Sequence, residues 1–368
     1  MAKGFTLEVN PWVYKAQFTE DGEWKDEYLE KDHLAADEER RMAPGEKEEL
    51  LSKRNSFSEL PLVNYTTQYG FGCFEGLKAF PQKDGSIKVF RPDENAKRMH
   101  RSMAGLMMPP FPEDKFVEAT INLIIKNSAL GFTPEFNPEW ERDDFLTGHS
   151  VYIRPFSYSE PGIGLNLCHH PWIVMITTNV GAYFQPGNSK AVTTEKQRAY
   201  PGGTGWIKCS ANYVTPTLVK KAAMAEGYME AIFLDAVEHK YFEEGSSCNI
   251  FFLLKDDTLV TPELGDTVLP GITRKSVLQL AASQGMKTAE RKISVEEVFS
   301  EAKEVFVTGT AAGISFLESI THNGETVVFS NSEIGEVTHE LLINLKGIQY
   351  GAREDKLRWM FECGLLVG

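Results

Sequence analysis

Apolar and polar residues follow one another along the chain in patterns that predict both strands and helices. Residues 150–157 and 171–184 are rich in β-branched and aromatic side chains and predict two strands, the second almost continuously buried. Residues 116–130 carry apolar side chains at helical spacing and end at Gly131, which predicts a helix with a glycine C-cap. Both halves of the chain mix strands and helices without regular alternation, so the pattern predicts α+β domains rather than a doubly wound sheet.

Shorter elements fill the rest of the chain. Thr215 is expected to be the N-cap of a helix that carries Pro216 at its first position and runs to Gly227. Further strands are predicted at 65–80 (two strands joined by a turn), 86–90, 231–235, 240–243, 249–254 and 304–307, and further helices at 92–106, 272–285, from 295 and at 333–345.

Turn-forming residues at 185–189 interrupt the buried pattern and predict a domain boundary. We therefore predict a first domain at 1–184, an interdomain linker at 185–199 and a second domain at 200–368. Residues 1–60 are a polar extension that the pattern does not assign. Their charged segment at 30–54 is expected to be a solvated helix or loop.

Composition narrows the class of protein. The chain has 368 residues, of which 42% are hydrophobic and 24% charged, as in ordinary globular proteins. Its net charge of −14 argues against a nucleic acid or an anionic membrane as partner, although a local cluster of cations can still bind a small anion. There is no apolar run of signal-peptide or membrane-span length. The five scattered cysteines lack metal-ligand spacing, which predicts free thiols, a cytoplasmic location and no metal site.

The stretch at 201–213 is a candidate reactive site. Gly202, Gly203 and Gly205 precede Lys208, and Tyr213 follows five residues later. A lysine that a loop holds away from water loses some preference for its charged form, as Schiff-base chemistry with an aldehyde requires. A nucleotide phosphate loop is excluded because two residues separate the last glycine from the lysine. On its own, the pattern also fits a solvated surface lysine.

Three other segments carry groups that could bind an anion or a cationic nitrogen. Glu243 and Glu244 stand at a strand end beside a Gly-Ser-Ser turn. Residues 271–273 open a helix whose first N–H groups can bind an anion, and residues 308–313 form a turn with exposed amides. Each segment also fits a purely structural role. Taken with Lys208, however, they are the groups that pyridoxal phosphate requires.

Motifs in a fixed order make the chain resemble the branched-chain amino acid aminotransferases, which are fold-type IV pyridoxal phosphate enzymes. The matching segments are 69–80, 90–92, 98–99, 152–155, 181–184, 201–213, 244–251, 269–274 and 308–311. They extend over roughly residues 60 to 350. The resemblance implies a fold like that of the D-amino acid aminotransferases, with a small N-terminal α/β domain and a larger C-terminal mixed α/β, barrel-like domain.

The resemblance also implies the role of each matching residue. Lys208 would form the Schiff base and move the proton, Glu244 would keep the ring nitrogen protonated, and Arg154 would meet the second carboxylate of glutamate. Tyr69 is expected to come from the other subunit of a homodimer. The implied cofactor-binding residues are Arg98, Lys208, Tyr213, Glu244, Ile272, Thr273 and Thr310, and the implied substrate-binding residues are Tyr69, Phe74, Tyr152, Arg154, Tyr183, Ser247 and Ala311.

The implied activity is reversible, ping-pong transfer of an amino group from leucine, isoleucine or valine to 2-oxoglutarate. Two enzymes that share the fold, a D-amino acid aminotransferase and an aminodeoxychorismate lyase, are the alternatives. The paired Tyr152 and Arg154 and the Gly-Ser-Ser-Cys-Asn segment weigh against both. A protein that binds the cofactor but has lost catalysis, and acts as an interaction module, is disfavoured because Lys208, Glu244, Arg98 and Tyr213 are all present.

Overall fold

The computed structural model describes residues 7–181 and 189–363, which fall into two compact units. The first unit contains residues 7–181, Cys209–Ala211 and 347–363. The second contains residues 189–208 and 212–346. Tyr183 and most of the turn predicted at 185–189 lie outside the described residues.

Strands and helices are distributed through both units. The strands of the described residues are β1 (Trp12–Phe18), β2 (Trp24–Glu30), β3 (Leu77–Pro81), β4 (Ile87–Phe90), β5 (Ser150–Tyr158), β6 (Trp172–Val180), β7 (Lys190–Thr194), β8 (Glu230–Leu234), β9 (Phe242–Gly245), β10 (Asn249–Leu254), β11 (Leu259–Thr261), β12 (Thr288–Glu290), β13 (Ala302–Gly309), β14 (Gly313–Phe316), β15 (Ser319–His322), β16 (Glu325–Val328) and β17 (Met360–Glu362). The α-helices are α1 (Ala36–Arg41), α2 (Pro44–Arg54), α3 (Tyr65–Tyr69), α4 (Pro92–Gly105), α5 (Glu113–Ala129), α6 (Val214–Ala225), α7 (Ile272–Ser283), α8 (Val295–Glu301) and α9 (Glu336–Gln349), and the 3₁₀ helices are Pro138–Asp143 and Ser210–Tyr213.

A seven-stranded antiparallel sheet forms the centre of the first unit, in the order β17-β4-β3-β5-β6-β1-β2. Helix α5 packs on β1 and β6 and buries the face that carries Phe116, Leu123 and Ile124. Strand β17 pairs with β4, so the C-terminal residues belong to this unit. The predicted assignment of all of 200–368 to one domain is therefore corrected, because ladder hydrogen bonds return the chain end to the first sheet.

The N-terminal extension is part of the folded first unit. Strands β1 and β2 complete the sheet, and helices α1 and α2 follow them. Arg54 is 1% exposed, donates to the carbonyl oxygen of Val9 at 2.9 Å and pairs with the buried Glu39 at 2.5 Å. The expectation that residues 30–54 form only a solvated helix or loop is therefore wrong, because this charged segment buries two of its charges as a pair.

A ten-stranded mixed sheet forms the second unit, with the main order β12-β11-β10-β9-β8-β7-β15-β16. Strand β13 pairs with β10 and β14. The pairs β7–β8, β7–β15 and β11–β12 are parallel. The core of this unit is built from buried aliphatic and aromatic side chains that include Ile232, Phe242, Ile250, Phe252, Val260, Val305, Val307 and Ile320. Both units mix helices with sheets, which confirms the predicted two-domain α+β fold.

Two local predictions are wrong for identifiable reasons. The segment Tyr65–Tyr69 is a helix instead of a strand, because the Asn64 side chain caps its N-terminus and Gly70 ends it at a φ of 67°. Helix α6 begins at Val214 with Tyr213 as N-cap, so Thr215 lies inside the first turn.

Three chemical features complete the description. The five cysteines all lie within the described residues and are free thiols, as predicted. In residues 7–181 and 189–363, no cluster of three or more histidine, cysteine, aspartate and glutamate side chains is placed to bind a metal ion. No helix within the described ranges is long and apolar enough to span a bilayer.

Candidate active site

Lys208 and Tyr213 form a hydrogen-bonded pair in the second unit. The Lys208 Nζ donates to the Tyr213 hydroxyl at 2.8 Å, and both residues are half-buried. The 3₁₀ helix Ser210–Tyr213 turns the chain so that the tyrosine comes back onto the lysine five positions earlier. The fold thus brings these two residues together.

The loop before Lys208 is held by side-chain hydrogen bonds and by close packing. The Asn212 amide donates to the carbonyl oxygens of Thr204 and Ile207 at 2.7 and 3.0 Å. A side chain at Gly205 would place its Cβ 2.6 Å from the carbonyl oxygen of Asp266, so only glycine fits there. These contacts give the lysine a defined position.

Glu244 is a buried carboxylate held by three donors. Its side chain is 4% exposed and pairs with the equally buried Arg198, with 2.8 Å between Oε1 and Nη1. The same Oε1 accepts from the Leu269 amide at 2.9 Å, and Oε2 accepts from the Asn249 side chain at 3.2 Å. Burial raises the pKa of Glu244, while the charges of Arg198 and Lys208 act in the opposite direction. The site therefore contains an acid whose charge depends on nearby cations.

The neighbouring Glu243 has a different environment. Its Oε1 accepts from the Thr267 hydroxyl at 2.5 Å. Burial, together with the negative charges of Glu244 and Asp235, raises the pKa of Glu243 to about 7. Of the two predicted carboxylates, Glu244 is thus ion-paired with Arg198, whereas Glu243 is hydrogen-bonded to a hydroxyl.

The start of helix α7 adjoins Glu244. Ile272 and Thr273 are buried at the first two positions, where the N–H groups have no partner within the helix. Gly271 precedes them, and a Cβ at this position would lie 2.0 Å from Oδ1 of Asn249. Asn249 also donates to the carbonyl oxygen of Leu269 at 2.9 Å, so one side chain links Glu244 to this turn. The N-terminus of a helix at this place suits a phosphate group.

Two further turns lie next to each other in the second unit. Thr310 and Ala311 form the partly exposed turn between β13 and β14, where Gly309 pairs with Gly313. A Cβ at Gly309 would lie 3.6 Å from the carbonyl oxygen of Ser247, in ordinary contact. Ser247 and Ala311, which the resemblance implies as substrate-binding residues, are therefore on adjacent turns.

The turn that carries Ser247 has a buried support that the sequence reasoning did not identify. Glu230 is 4% exposed, accepts from the Ser246 amide at 3.2 Å and pairs with Lys220 at 2.7 Å.

Arg198 is a second residue that the sequence reasoning did not identify. An isolated arginine in a polar loop carries no sequence signal, because its partner Glu244 comes from a distant strand.

In the first unit, Phe74, Tyr152 and Arg154 form one cluster. The guanidinium carbon of Arg154 lies 4.7 Å from the Phe74 ring centroid and 5.2 Å from that of Tyr152. Its Nη2 donates to the Tyr152 hydroxyl at 2.6 Å. Gly76 makes room for that hydroxyl, since a Cβ there would lie 2.1 Å from it. The cluster is an apolar wall that contains one cation.

Arg98 is also in the first unit and is clamped by Glu75. Its Nε and Nη2 donate to the two carboxylate oxygens at 2.7 and 2.8 Å, and Glu75 is fully buried. Asn95 donates to the same carboxylate at 2.7 Å. This bidentate pair fixes the plane of the guanidinium. Tyr69, by contrast, is 43% exposed, and its hydroxyl accepts from the Gly164 amide at 2.9 Å.

Comparison with known proteins identifies the family. The family model "Amino-transferase class IV" matches residues 72–320. The chain belongs to the class IV aminotransferase family.

Two relatives and one solved structure show the degree of similarity. The probable branched-chain-amino-acid aminotransferase of Staphylococcus aureus is 39% identical over 79% of this chain and 80% of that protein. The chloroplastic branched-chain-amino-acid aminotransferase 5 of Arabidopsis thaliana is 38% identical over 79% of this chain and 68% of that protein. Among solved structures, the branched-chain amino acid aminotransferase from Escherichia coli aligns with a TM-score of 0.67 and 28% identity, covering 84% of this chain and 95% of that one.

Proposed function

We propose that the protein is a pyridoxal phosphate-dependent branched-chain amino acid aminotransferase. It transfers the amino group of leucine, isoleucine or valine to 2-oxoglutarate reversibly and by a ping-pong route. The observation that carries the proposal is the group formed by Lys208, its partner Tyr213, and the buried Glu244, whose pKa responds to the Lys208 charge. The names of the 38–39% identical relatives favour this activity over the D-amino acid and lyase alternatives.

The residues of the second unit fit the cofactor by their chemistry. When bound, pyridoxal phosphate supplies an aldehyde that an amine can attack and a ring that withdraws electrons from the substrate Cα. Lys208 provides that amine and moves the proton at the substrate Cα. Tyr213 holds the lysine amine and would donate to the 3′ oxygen of the ring. Glu244 would accept the ring N–H and keep the ring cationic.

Anion-binding groups hold the phosphate. The Ile272 and Thr273 amides at the start of α7 and the Thr310 hydroxyl are the donors of the second unit. Arg98 adds a guanidinium whose plane Glu75 fixes. These groups would hold the phosphate independently of Lys208.

Substrate recognition needs one carboxylate site and one side-chain site. Ser247 and the Ala311 amide bind the α-carboxylate, together with Tyr69 of the other subunit of a homodimer. Phe74 and Tyr152 form the wall for the aliphatic side chain, and the resemblance assigns Tyr183 to the same role. A hydrophobic wall of this kind discriminates by only about 1–3 kcal/mol per methylene, so it accepts leucine, isoleucine and valine alike.

Arg154 lets the same site accept glutamate. A bidentate pair with the second carboxylate is a strong and directional contact. When an aliphatic substrate is bound instead, the cation keeps the Tyr152 hydroxyl at 2.6 Å and two aromatic faces as partners. The charge is then not left isolated among apolar side chains.

A cytoplasmic location and assembly as a homodimer complete the proposal.

A panel of amino-acid donors with 2-oxoglutarate as acceptor tests the activity. We expect turnover with leucine, isoleucine and valine and none with D-alanine. Borohydride should trap the cofactor on Lys208 in the wild type, whereas Lys208→Ala should show neither the trapped product nor turnover. Transamination by the Lys208→Ala protein would refute the assignment.

A further inference from the structure

Arg198 is the buried cation against which Glu244 is held. Both side chains are 4% exposed, and 2.8 Å separates Arg198 Nη1 from Glu244 Oε1. The same Nη1 donates to the carbonyl oxygen of Thr267 at 3.0 Å. The guanidinium is therefore fixed by backbone as well as by the carboxylate, in the segment between β7 and the Lys208 loop.

The two oxygens of Glu244 are used unequally. Oε1 accepts from both Arg198 and the Leu269 amide, at 2.8 and 2.9 Å. Oε2 accepts from the Asn249 side chain at 3.2 Å. A carboxylate oxygen can accept two hydrogen bonds. Oε2 is thus the oxygen that keeps capacity for one more N–H donor.

The charge of Glu244 depends on its surroundings. Burial raises the pKa of Glu244, and Arg198 is the largest influence that lowers it, ahead of the Leu269 amide. A buried carboxylate without such a cation takes up a proton instead of remaining charged. The other titratable or charged groups that face Glu244 are Lys208, Arg274, Glu243 and Cys248.

We propose that Arg198 is a positioning residue for the cofactor: it keeps Glu244 ionised and occupies Oε1, so that Oε2 accepts the ring N–H. This inference rests on the proposed function, because it needs a ring nitrogen at the site. It assigns to Arg198 an effect on the cofactor that acts entirely through Glu244. Replacing Arg198 should therefore change the protonation of the carboxylate first and the cofactor second.

The apoenzyme tests the first step without any activity measurement. We would compare thermal midpoints of the wild type, Arg198→Met and Arg198→Lys at about pH 5 and about pH 8. Without the cation, the pKa of Glu244 rises further above its unfolded value, so the stabilisation present at low pH is lost as pH rises. Arg198→Met should therefore lose more of its midpoint at the higher pH, and Arg198→Lys should recover part of it.

Double variants identify the group that titrates. The extra loss at high pH should disappear when Glu244→Gln is combined with Arg198→Met. Because the charge of Arg198 also lowers the pKa of Glu243, the same comparison is made in a Glu243→Gln background, where the loss should persist. Arg291→Met is a control for removal of an ion-paired arginine: Arg291 pairs with Glu297 in the same unit at 2.5 Å, with its side chain 40% exposed.

The holoenzyme tests the second step. With pyridoxal phosphate, Arg198→Met should reduce kcat by about 100-fold, the size expected when a fixed electrostatic contact is lost, and should shift the pH profile of the cofactor's absorption band. With a cofactor analogue that carries C–H in place of the ring nitrogen, Arg198→Met should lose less affinity than with pyridoxal phosphate, because this ring offers Glu244 no N–H to bind. A variant that is merely misfolded would bind both cofactors poorly.

The outcomes separate this inference from the proposed function. A midpoint loss that is equal at both pH values, or that survives Glu244→Gln, overturns the coupling. Coupling in the apoenzyme with an unchanged holoenzyme pH profile overturns the effect on the cofactor. If the wild type neither binds pyridoxal phosphate nor transfers amino groups, the proposed function fails, and the apoenzyme result still decides whether Arg198 controls the charge of Glu244.

Discussion

Replacing Arg154 by methionine should separate the two substrates of the proposed reaction. Methionine keeps most of the length of the side chain and removes its charge and donors. In the structure the guanidinium carbon lies 4.7 Å from the Phe74 ring centroid and 5.2 Å from that of Tyr152, and Nη2 donates to the Tyr152 hydroxyl at 2.6 Å. Its buried Nε has no hydrogen-bond partner among the described residues, so the fork keeps donors for a substrate carboxylate.

The magnitude follows from what each substrate loses. Glutamate loses hydrogen bonds to a charged donor, each worth about 1.5–3 kcal/mol, and its carboxylate is left in a partly apolar site. We therefore expect kcat/KM for glutamate to fall by about 3–4 kcal/mol, or roughly 100- to 1000-fold. Leucine loses only contact with a stacked cation, about 0.5–1 kcal/mol, and should change by less than about fivefold.

Single-turnover measurements of each half-reaction are the direct assay. The holoenzyme is mixed with leucine or with glutamate, and the change in the cofactor spectrum gives the rate and its dependence on substrate concentration. Arg142→Met is the control, because the Arg142 side chain is 81% exposed and its ion pair with Glu139 is on the surface. Equal losses of kcat/KM for the two substrates would show that Arg154 does not bind the second carboxylate of glutamate.

Three further predictions concern the site and the stability of the fold. Gly76→Ala should lower kcat/KM for glutamate more than for leucine, by about 1–3 kcal/mol, because a Cβ that lies 2.1 Å from the Tyr152 hydroxyl must displace that hydroxyl. Glu243→Gln should equal the wild type in thermal midpoint near pH 4.5 and exceed it above pH 7, because the pKa of Glu243 is raised to about 7 and its stabilisation is lost as pH rises through that value. Arg54→Met should reduce the urea-unfolding free energy by about 3–5 kcal/mol, because Glu39 then remains buried without its cation.

Each of these predictions has a control in the same chain. Gly45→Ala meets no atom within 4 Å and should leave kinetics unchanged. Glu296→Gln, at a side chain 86% exposed, should show no pH-dependent gain. Arg40→Met removes a side chain that is 62% exposed and should cost less than about 1 kcal/mol. An effect of similar size in a variant and its control would count against the corresponding argument.

The local sequence was sufficient to predict those elements whose own residues favour a single conformation. The helix Glu113–Ala129 has apolar residues at helical spacing, and the buried strand Asn249–Leu254 is a continuous apolar run too short for a helix. Both overlap the predicted segments. The segment Tyr65–Tyr69 was predicted incorrectly. Its aromatic and β-branched residues favour a strand, but the Asn64 side chain and Gly70 close a single helical turn.

By itself the sequence determined the chemical identities at the site, because a lysine after a glycine loop, an acid beside a Gly-Ser-Ser turn and a helix opened by Gly271 are local features. Only the tertiary structure decided which charges are paired. Arg198 meets Glu244, Glu75 clamps Arg98, and strand β17 returns to the first sheet, all through contacts between distant parts of the chain. Composition and periodicity do not encode such contacts, since burial and partner together set the charge of a side chain.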